Sequence, residues 1–283
     1  MIAQEFDYSA PSTLDEALRL IGAGAKPLAG GMSLVPMMKL RLAAPGHVVD
    51  LSRIGGLSGI HPADGVVRIG AMTTHYEVES SAALRSLCPL LAETAACIGD
   101  LQVRNMGTIG GSLAHADPAA DYPAALLALE AQVVLVKSGG ERTLPVADFL
   151  VDTFTTAAEP GEIIREVIVP VESPGTATAY RKMLQPASGF AIVGVAARVQ
   201  KKDGRIAFAR VGVTGLASKA FRAAAAEEAL LGTAGSEDAI RAAVASIGVG
   251  LDANSDIHAS ADYRRQMARV YAARAIQAAL ARG

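Results

Sequence analysis

Residues Thr108–Pro123 read TIGGSLAHADPAADYP and run into the apolar stretch AALLALEAQVVLV. Two adjacent glycines stand between Thr108 and Ser112, and His115, Asp117 and Asp121 follow. Paired glycines let the backbone reach positive φ and let a ligand approach without meeting a Cβ. Successive free N–H groups form a nest for an anion, and a helix N-terminus adds a favourable dipole. The same residues also build ordinary turns with a capping hydroxyl.

A second stretch shares this logic. Ala29, Gly30, Gly31, Met32 and Ser33 follow the short apolar run that ends in Leu28 and precede a predicted helix, SLVPMMKLRL. Thr108, Ile109, Gly110, Gly111 and Ser112 are its counterpart. The hydroxyls of Ser33, Thr108 and Ser112 can donate to phosphate oxygens. Two such loops point to a pyrophosphate held with little positive charge, as in a dinucleotide. Neither is a regular fingerprint: there is no GxGxxG between strand and helix and no GxxxxGK[ST].

Asp117 and Asp121 flank Pro118. With a helix beginning near Pro118, Asp117 is its N-cap and Asp121 lies in its first turn. Asp121 can instead accept from ribityl or ribose hydroxyls. His115 has no ligand partner at metal spacing and is expected to be a hydrogen-bonded loop residue. No GxSxG, HExxH or paired-carboxylate motif occurs. The chain therefore shows a place to hold a cofactor and no acid–base machinery, so that the demanding chemistry would belong to the cofactor.

The whole chain bounds this reading. Its 283 residues, 51% hydrophobic and 19% charged, suffice for a sizeable core and for two domains. A net charge of −2 without a basic cluster argues against nucleic acid. No uncharged run reaches the ~18 apolar residues that span a bilayer, and the N-terminus lacks a secretory pattern. Cys88 and Cys97 form no CxxC pair, so no iron–sulfur or zinc site of its own is expected. Both are read as buried helical thiols of a soluble, cytoplasmic protein.

Along the chain, Ser12 or Thr13 caps a helix, LDEALRLIG. Strands follow at HVVDLSRI and, after the Asp64–Gly65 turn, at GVVRIGAMTTH. LRSLCPLLAETAACIG is helical, with Pro89 as a start or kink. AQVVLVKSGGERTLPVADFL is a hairpin and a short helix, and GEIIREVIVP is a strand. VESPGTATAY reads as a linker. Beyond it, a long hairpin turns at Asp203–Gly204 and three helices close the chain. Sheets with segregated helices make an α+β protein, with a boundary near residue 173.

These motifs carry a family resemblance. PLAGGMSLVPMMKLRLAAPGHVVDL (27–51) and VRNMGTIGGSLAHADPAADYPAALLAL (103–129) match the family loops AGGxSLxP and RNxGTIGGSxAxADPAxD in order. IGAMTTHYEVESS (69–81), PGEIIREVIVP (160–170), YRKMLQPASGFAIVGVAARV (180–199) and SADYRRQMARVYAARAI (260–276) extend the match over nearly the whole chain. The sequence resembles the FAD-binding medium subunit of molybdenum hydroxylases of the carbon monoxide dehydrogenase and aldehyde dehydrogenase type.

The resemblance implies a two-subdomain PCMH-type FAD-binding domain over 1–172, divided at about 54/55, and a smaller C-terminal α+β domain over 173–283. It implies FAD, with Ala29–Ser33 along the pyrophosphate and Thr108–Ser112 as the second wall. Asp121 would stand near the ribityl or ribose hydroxyls, with Asp117 also among the cofactor-binding residues, Ile164 as an apolar contact, Lys182 near the FAD and Phe190 near the flavin. Met32 occupies a slot where relatives often carry His or Gln. The partners implied are a large molybdenum-cofactor subunit and a small iron–sulfur subunit, in a dimer of heterotrimers. The role implied is electron transfer to an external acceptor. A self-sufficient flavin oxidase of the same fold is the alternative.

Overall fold

The computed structural model describes residues 2–283. In chain order its elements are β1 (Asp7–Ser9), α1 (Leu14–Gly22), β2 (Lys26–Leu28), α2 (Leu34–Lys39), β3 (His47–Asp50), β4 (Ile60–Ala63), β5 (Val66–Gly70), α3 (His75–Ser80), α4 (Ala82–Leu87), α5 (Pro89–Ala96), α6 (Leu101–Met106), α7 (Ile109–His115) and α8 (Asp121–Ala128). There follow β6 (Gln132–Lys137), β7 (Gly140–Pro145), α9 (Val146–Phe149), β8 (Leu150–Asp152), β9 (Thr155–Thr156), β10 (Ile163–Pro170), β11 (Thr176–Leu184), β12 (Ala191–Lys202), β13 (Arg205–Thr214), β14 (Phe221–Arg222), α10 (Ala224–Leu230), α11 (Glu237–Val244) and α12 (Ala261–Leu280).

Three main sheets organise these elements. The first is a parallel sheet in the order β1-β3-β2. Helix α1 starts where the Thr13 hydroxyl accepts from the Glu16 amide at 3.3 Å. It buries Ala17, Leu18 and Ile21 with Val49 of β3. The second sheet is antiparallel, β4-β5-β10-β6-β7. Its β6 reads as a continuous apolar run because both faces are covered. Val136 joins the α1 cluster, while Val133 and Leu135 join the main core with α5, α7 and α8.

The third sheet, β11-β12-β13-β14, carries α12 across β11 and β12. Small residues on α12, Ala268, Ala272, Ala275 and Ala279, are fully buried and bring the helix close to the strands. Asp203 and Gly204 both take positive φ, +50° and +74°, as a two-residue hairpin of this twist requires. On its other face the sheet meets α8. A Cβ on Gly212 of β13 would stand 2.0 Å from the Ala124 carbonyl oxygen, so only glycine permits that approach. All eight residues of α8 are buried, which places it between the second and third sheets.

Several expectations shift. The linker shrinks to residues 171–175, because Thr176–Leu184 pairs with β12 as a strand. The strand expected to run through His75 ends at Gly70. Thr74 starts α3 instead, with a reciprocal capping box to Glu77 that outweighs the β-branched TT pair. Pro89 opens α5 at its first turn, leaving Cys88 between two helices. Cys88 is buried, whereas Cys97 is exposed, so only one of the two thiols is a core thiol. Strands β1 and β4 and helices α6 and α7 have short or glycine-bearing sequences with no clear periodicity, and sequence reading passes over them.

Candidate functional site

A cavity of about 560 Å³ lies between the first and second sheets and under the β11–β12 loop. The chain leaves β2 at Leu28 and turns into α2 through Ala29–Ser33, all of which line the cavity. Gly31 has φ +74°, a conformation that favours glycine. Among the described residues, the amides of Gly30, Gly31, Met32 and Ser33 have no protein acceptor. Ser33 stands at the start of α2 without a side-chain cap bond. This stretch is an open amide nest.

The second stretch is built differently. Thr108–Ser112 is the first turn of α7, not a loop. Its amides are already used: Ile109 donates to Thr73 O at 3.0 Å, Gly110 to Ala71 O at 2.9 Å, and Ser112 to Thr108 O at 3.0 Å. The Thr108 hydroxyl accepts from the Gly111 amide at 3.0 Å as the N-cap. From this stretch Thr108, Gly110, Gly111 and Ser112 line the cavity. Ile109 is fully buried behind it and does not line the cavity.

The two stretches touch. A Cβ on Gly30 would stand 1.8 Å from the Met106 carbonyl oxygen, and one on Gly111 would stand 3.5 Å from the Cβ of Ala29. Residues nearly 80 positions apart thus form one wall, as their shared logic required.

Asp117 and Asp121 both line the cavity, but neither caps a helix. Asp117 Oδ1 accepts from the Ala119 amide at 2.8 Å, closing a small turn. Helix α8 begins only at Asp121, with Ala120 as N-cap and no side-chain cap bond. The Asp121 carboxylate is 4% exposed and accepts from the Tyr180 hydroxyl at 2.5 Å and Lys182 Nζ at 2.8 Å. Burial pushes its carboxyl up, and the Lys182 charge pulls the other way. Burial also raises the Tyr180 hydroxyl well above its ordinary value, so it remains a donor. Lys182 lies behind Asp121 and does not line the cavity. Ile164 lines the cavity from β10, and Phe190 from the β11–β12 loop, where it is 42% exposed.

Sequence reading missed several lining residues. His75 opens α3 and is 5% exposed, with its Nδ1 buried and unpartnered. Burial, with the Arg104 charge added, holds its pKa down to about 4. Only the TTHYE capping box hinted that a helix, and hence a fixed side chain, begins there. His115 is helical and packs on Phe154 with ring centroids 4.9 Å apart, so it is not the hydrogen-bonded loop residue expected. Glu162 is held by Arg142 at 2.7 and 2.8 Å.

These residues fit a flavin dinucleotide. The open amides and hydroxyl of Ala29–Ser33 suit a pyrophosphate, and Leu28, Ile98, Val103, Ile164 and Phe190 supply apolar surface for ring systems. Fold and cavity together define a PCMH-type FAD-binding domain followed by a smaller C-terminal domain.

Comparison with known proteins gives the family. Residues 4–172 match the family described as FAD binding domain in molybdopterin dehydrogenase, and residues 162–279 match the CO dehydrogenase flavoprotein C-terminal domain. The carbon monoxide dehydrogenase medium chain of Hydrogenophaga pseudoflava is 40% identical over 100% of this chain and 99% of its own. The 6-hydroxypseudooxynicotine dehydrogenase complex subunit alpha of Paenarthrobacter nicotinovorans is 40% identical over 98% of this chain and 95% of its own. A solved carbon monoxide dehydrogenase structure from Hydrogenophaga pseudoflava superposes with a TM-score of 0.97 at 42% identity, covering 100% of this chain and 99% of that one. The chain belongs to the FAD-binding medium-subunit family of molybdopterin dehydrogenases. It is an oxidoreductase subunit and its cofactor is FAD. Among the described residues, no helix is long and apolar enough to cross a membrane.

Proposed function

We propose that this chain is the electron-transfer subunit of a molybdenum hydroxylase complex. It takes electrons from iron–sulfur clusters of a small partner subunit and passes them to an external acceptor. Oxidation of the organic or inorganic substrate takes place in a large molybdenum-cofactor subunit. Bound FAD supplies the chemistry, because a flavin can take up electrons singly and release them in pairs. The assembly proposed is a dimer of heterotrimers, in the cytoplasm. Residues 1–172 form the FAD-binding domain, with subdomains of about 1–54 and 55–172, and 173–283 form the C-terminal domain.

The chain's own residues bind and orient. The amides of Gly30, Gly31, Met32 and Ser33, with the Ser33 and Ser112 hydroxyls, hold the pyrophosphate. Ala29, Thr108 and Gly111 allow its close approach, and Gly110 packs this wall on Ala71. Asp117 borders the sugar, and Ile164 and Phe190 pack on the ring systems. Asp121 is part of this wall, and Ile109 and Lys182 hold it from behind.

One observation carries the electron-transfer reading over a self-sufficient oxidase. Each carboxylate facing the cavity is already committed within the protein. Asp117 is bonded to the Ala119 amide, Asp121 to Tyr180 and Lys182, and Glu162 to Arg142. Asp121 and Glu162 are ion-paired, which makes them poor bases toward a substrate. The full chain should therefore purify with visible flavin absorption, and with large and cysteine-rich small partner subunits. Its flavin should be reduced through those partners. Direct reduction of the flavin in the isolated chain by an alcohol or a lactone would overturn this reading.

A further inference from the structure

The Asp117–Asp121 turn forms one wall of the cavity, yet most of what holds it comes from the third sheet. Thr214, at the end of β13, is fully buried. Its hydroxyl lies 2.9 Å from Pro118 O and 2.7 Å from Ala120 O. The Gly215 amide donates to Pro118 O at 2.8 Å, and the Ala191 amide to Ala119 O at 3.2 Å. Three successive carbonyls of the turn are therefore met by strands from the other end of the chain.

The side chain that ends the turn is met in the same way. Tyr180 and Lys182, both on β11, donate to the two oxygens of Asp121 at 2.5 and 2.8 Å. Lys182 Nζ also donates to Cys97 O at 2.8 Å, just before Ile98 and Gly99, which line another part of the cavity. The gripping strands are themselves tied. Arg264 of α12, 4% exposed, donates to Ile192 O at 2.6 Å and Gly215 O at 2.9 Å.

The turn needs this support. Pro118 has no N–H to offer, and Ala120 has no side chain that could cap α8. Locally it is held only by Asp117, through its side chain and through its carbonyl to the Ala120 amide at 3.0 Å.

We propose that Thr214, Tyr180 and Lys182 are positioning residues for the flavin: the C-terminal sheet fixes the Asp117–Asp121 wall, so that flavin affinity is set in part by side chains that do not line the cavity. The proposal rests on FAD occupying this cavity. Asp121 is the tie point between the two.

The test uses the full chain, alone and with its partner subunits, and FAD itself as the probe. The readouts are the FAD dissociation constant from flavin fluorescence, the visible circular dichroism of bound flavin, and thermal unfolding of the flavin-free chain. Thr214→Val keeps shape and removes the hydroxyl. It is expected to weaken FAD about three- to tenfold, the size of one or two lost hydrogen bonds, and to alter the flavin dichroism. Thr214→Ser should restore both. Tyr180→Phe removes one tie to Asp121 and should weaken FAD in the same range; it decides the matter if Thr214→Val does not fold. A folded Thr214→Val or Tyr180→Phe with wild-type affinity and dichroism overturns the proposal. A wild-type protein that takes no FAD, alone or assembled, overturns the flavin reading instead.

Discussion

Ala29–Ser33 and Thr108–Ser112 look alike as sequence, each a glycine pair beside hydroxyls, and they do opposite things with their amides. The first keeps the N–H groups of Gly30–Ser33 open at the cavity, whereas the second uses every amide from Ile109 to Ser112 inside the protein. Their glycines divide along a different line. Gly31 is needed for its positive φ. Gly30 and Gly110 are needed because protein, not ligand, comes close: a Cβ would stand 1.8 Å from Met106 O in one case and 2.5 Å from the Ala71 Cβ in the other. A glycine pair therefore marks a close approach to the backbone, and its neighbours decide what does the approaching.

The largest expected effect tests the contact between the two stretches. Gly30→Ala puts a methyl against the rigid Met106 backbone, 2.6 Å from its carbonyl carbon. The expected loss of stability is about 3 kcal/mol, the upper range for overpacking, with loss of bound FAD. Urea unfolding and flavin content measure it. A change of under about 0.5 kcal/mol, the range of neutral surface substitutions, would mean that the stretches do not meet as described.

Acid should strike the second stretch first. His75 donates its amide to Gly107 O at 2.9 Å, just before Thr108. Its ring is held neutral to about pH 4 by burial and by Arg104. The unfolded imidazole takes up its proton near 6.5. As pH falls from about 6.5 to about 4 the unfolded chain binds a proton that the fold refuses, so stability present above that window is lost through it, by up to about 3 kcal/mol. His75→Gln should flatten this acid limb of urea-measured stability. An unchanged limb would place the titration elsewhere.

The smallest effects separate the two stretches. Gly31→Ala forces a Cβ into left-handed backbone and within 3.2 Å of Val35 Cγ2. It should cost about 1–2 kcal/mol and weaken FAD at least as much as it weakens the fold. Thr108→Ala removes a cap, worth about 1 kcal/mol of stability, and should change FAD affinity less than threefold. Calorimetry with FAD titration compares the pair. Equal losses of FAD affinity would put the Thr108 hydroxyl on the cofactor and erase the contrast.

Much of the frame was legible because its signals are local. Thr13 caps α1, Asp203–Gly204 turns the long hairpin, and the apolar run of β6 shows a strand covered on both faces. The linker was overextended because TATAY has no turn-breaking residue to mark where it becomes a strand. His75 escaped notice because a lone histidine carries no sign of burial.

By itself the sequence determined an α+β chain with two dinucleotide-type glycine stretches, since caps, turns and periodicity act over a few residues. Only the tertiary structure decided that one stretch is a nest and the other a helix start packed on Ala71. It also decided that Asp121 belongs to Tyr180 and Lys182, and that Thr214 holds a turn almost a hundred residues before it. Each of these depends on hydrogen-bond partners supplied by distant segments, and a buried polar group takes whichever partner the fold brings within reach.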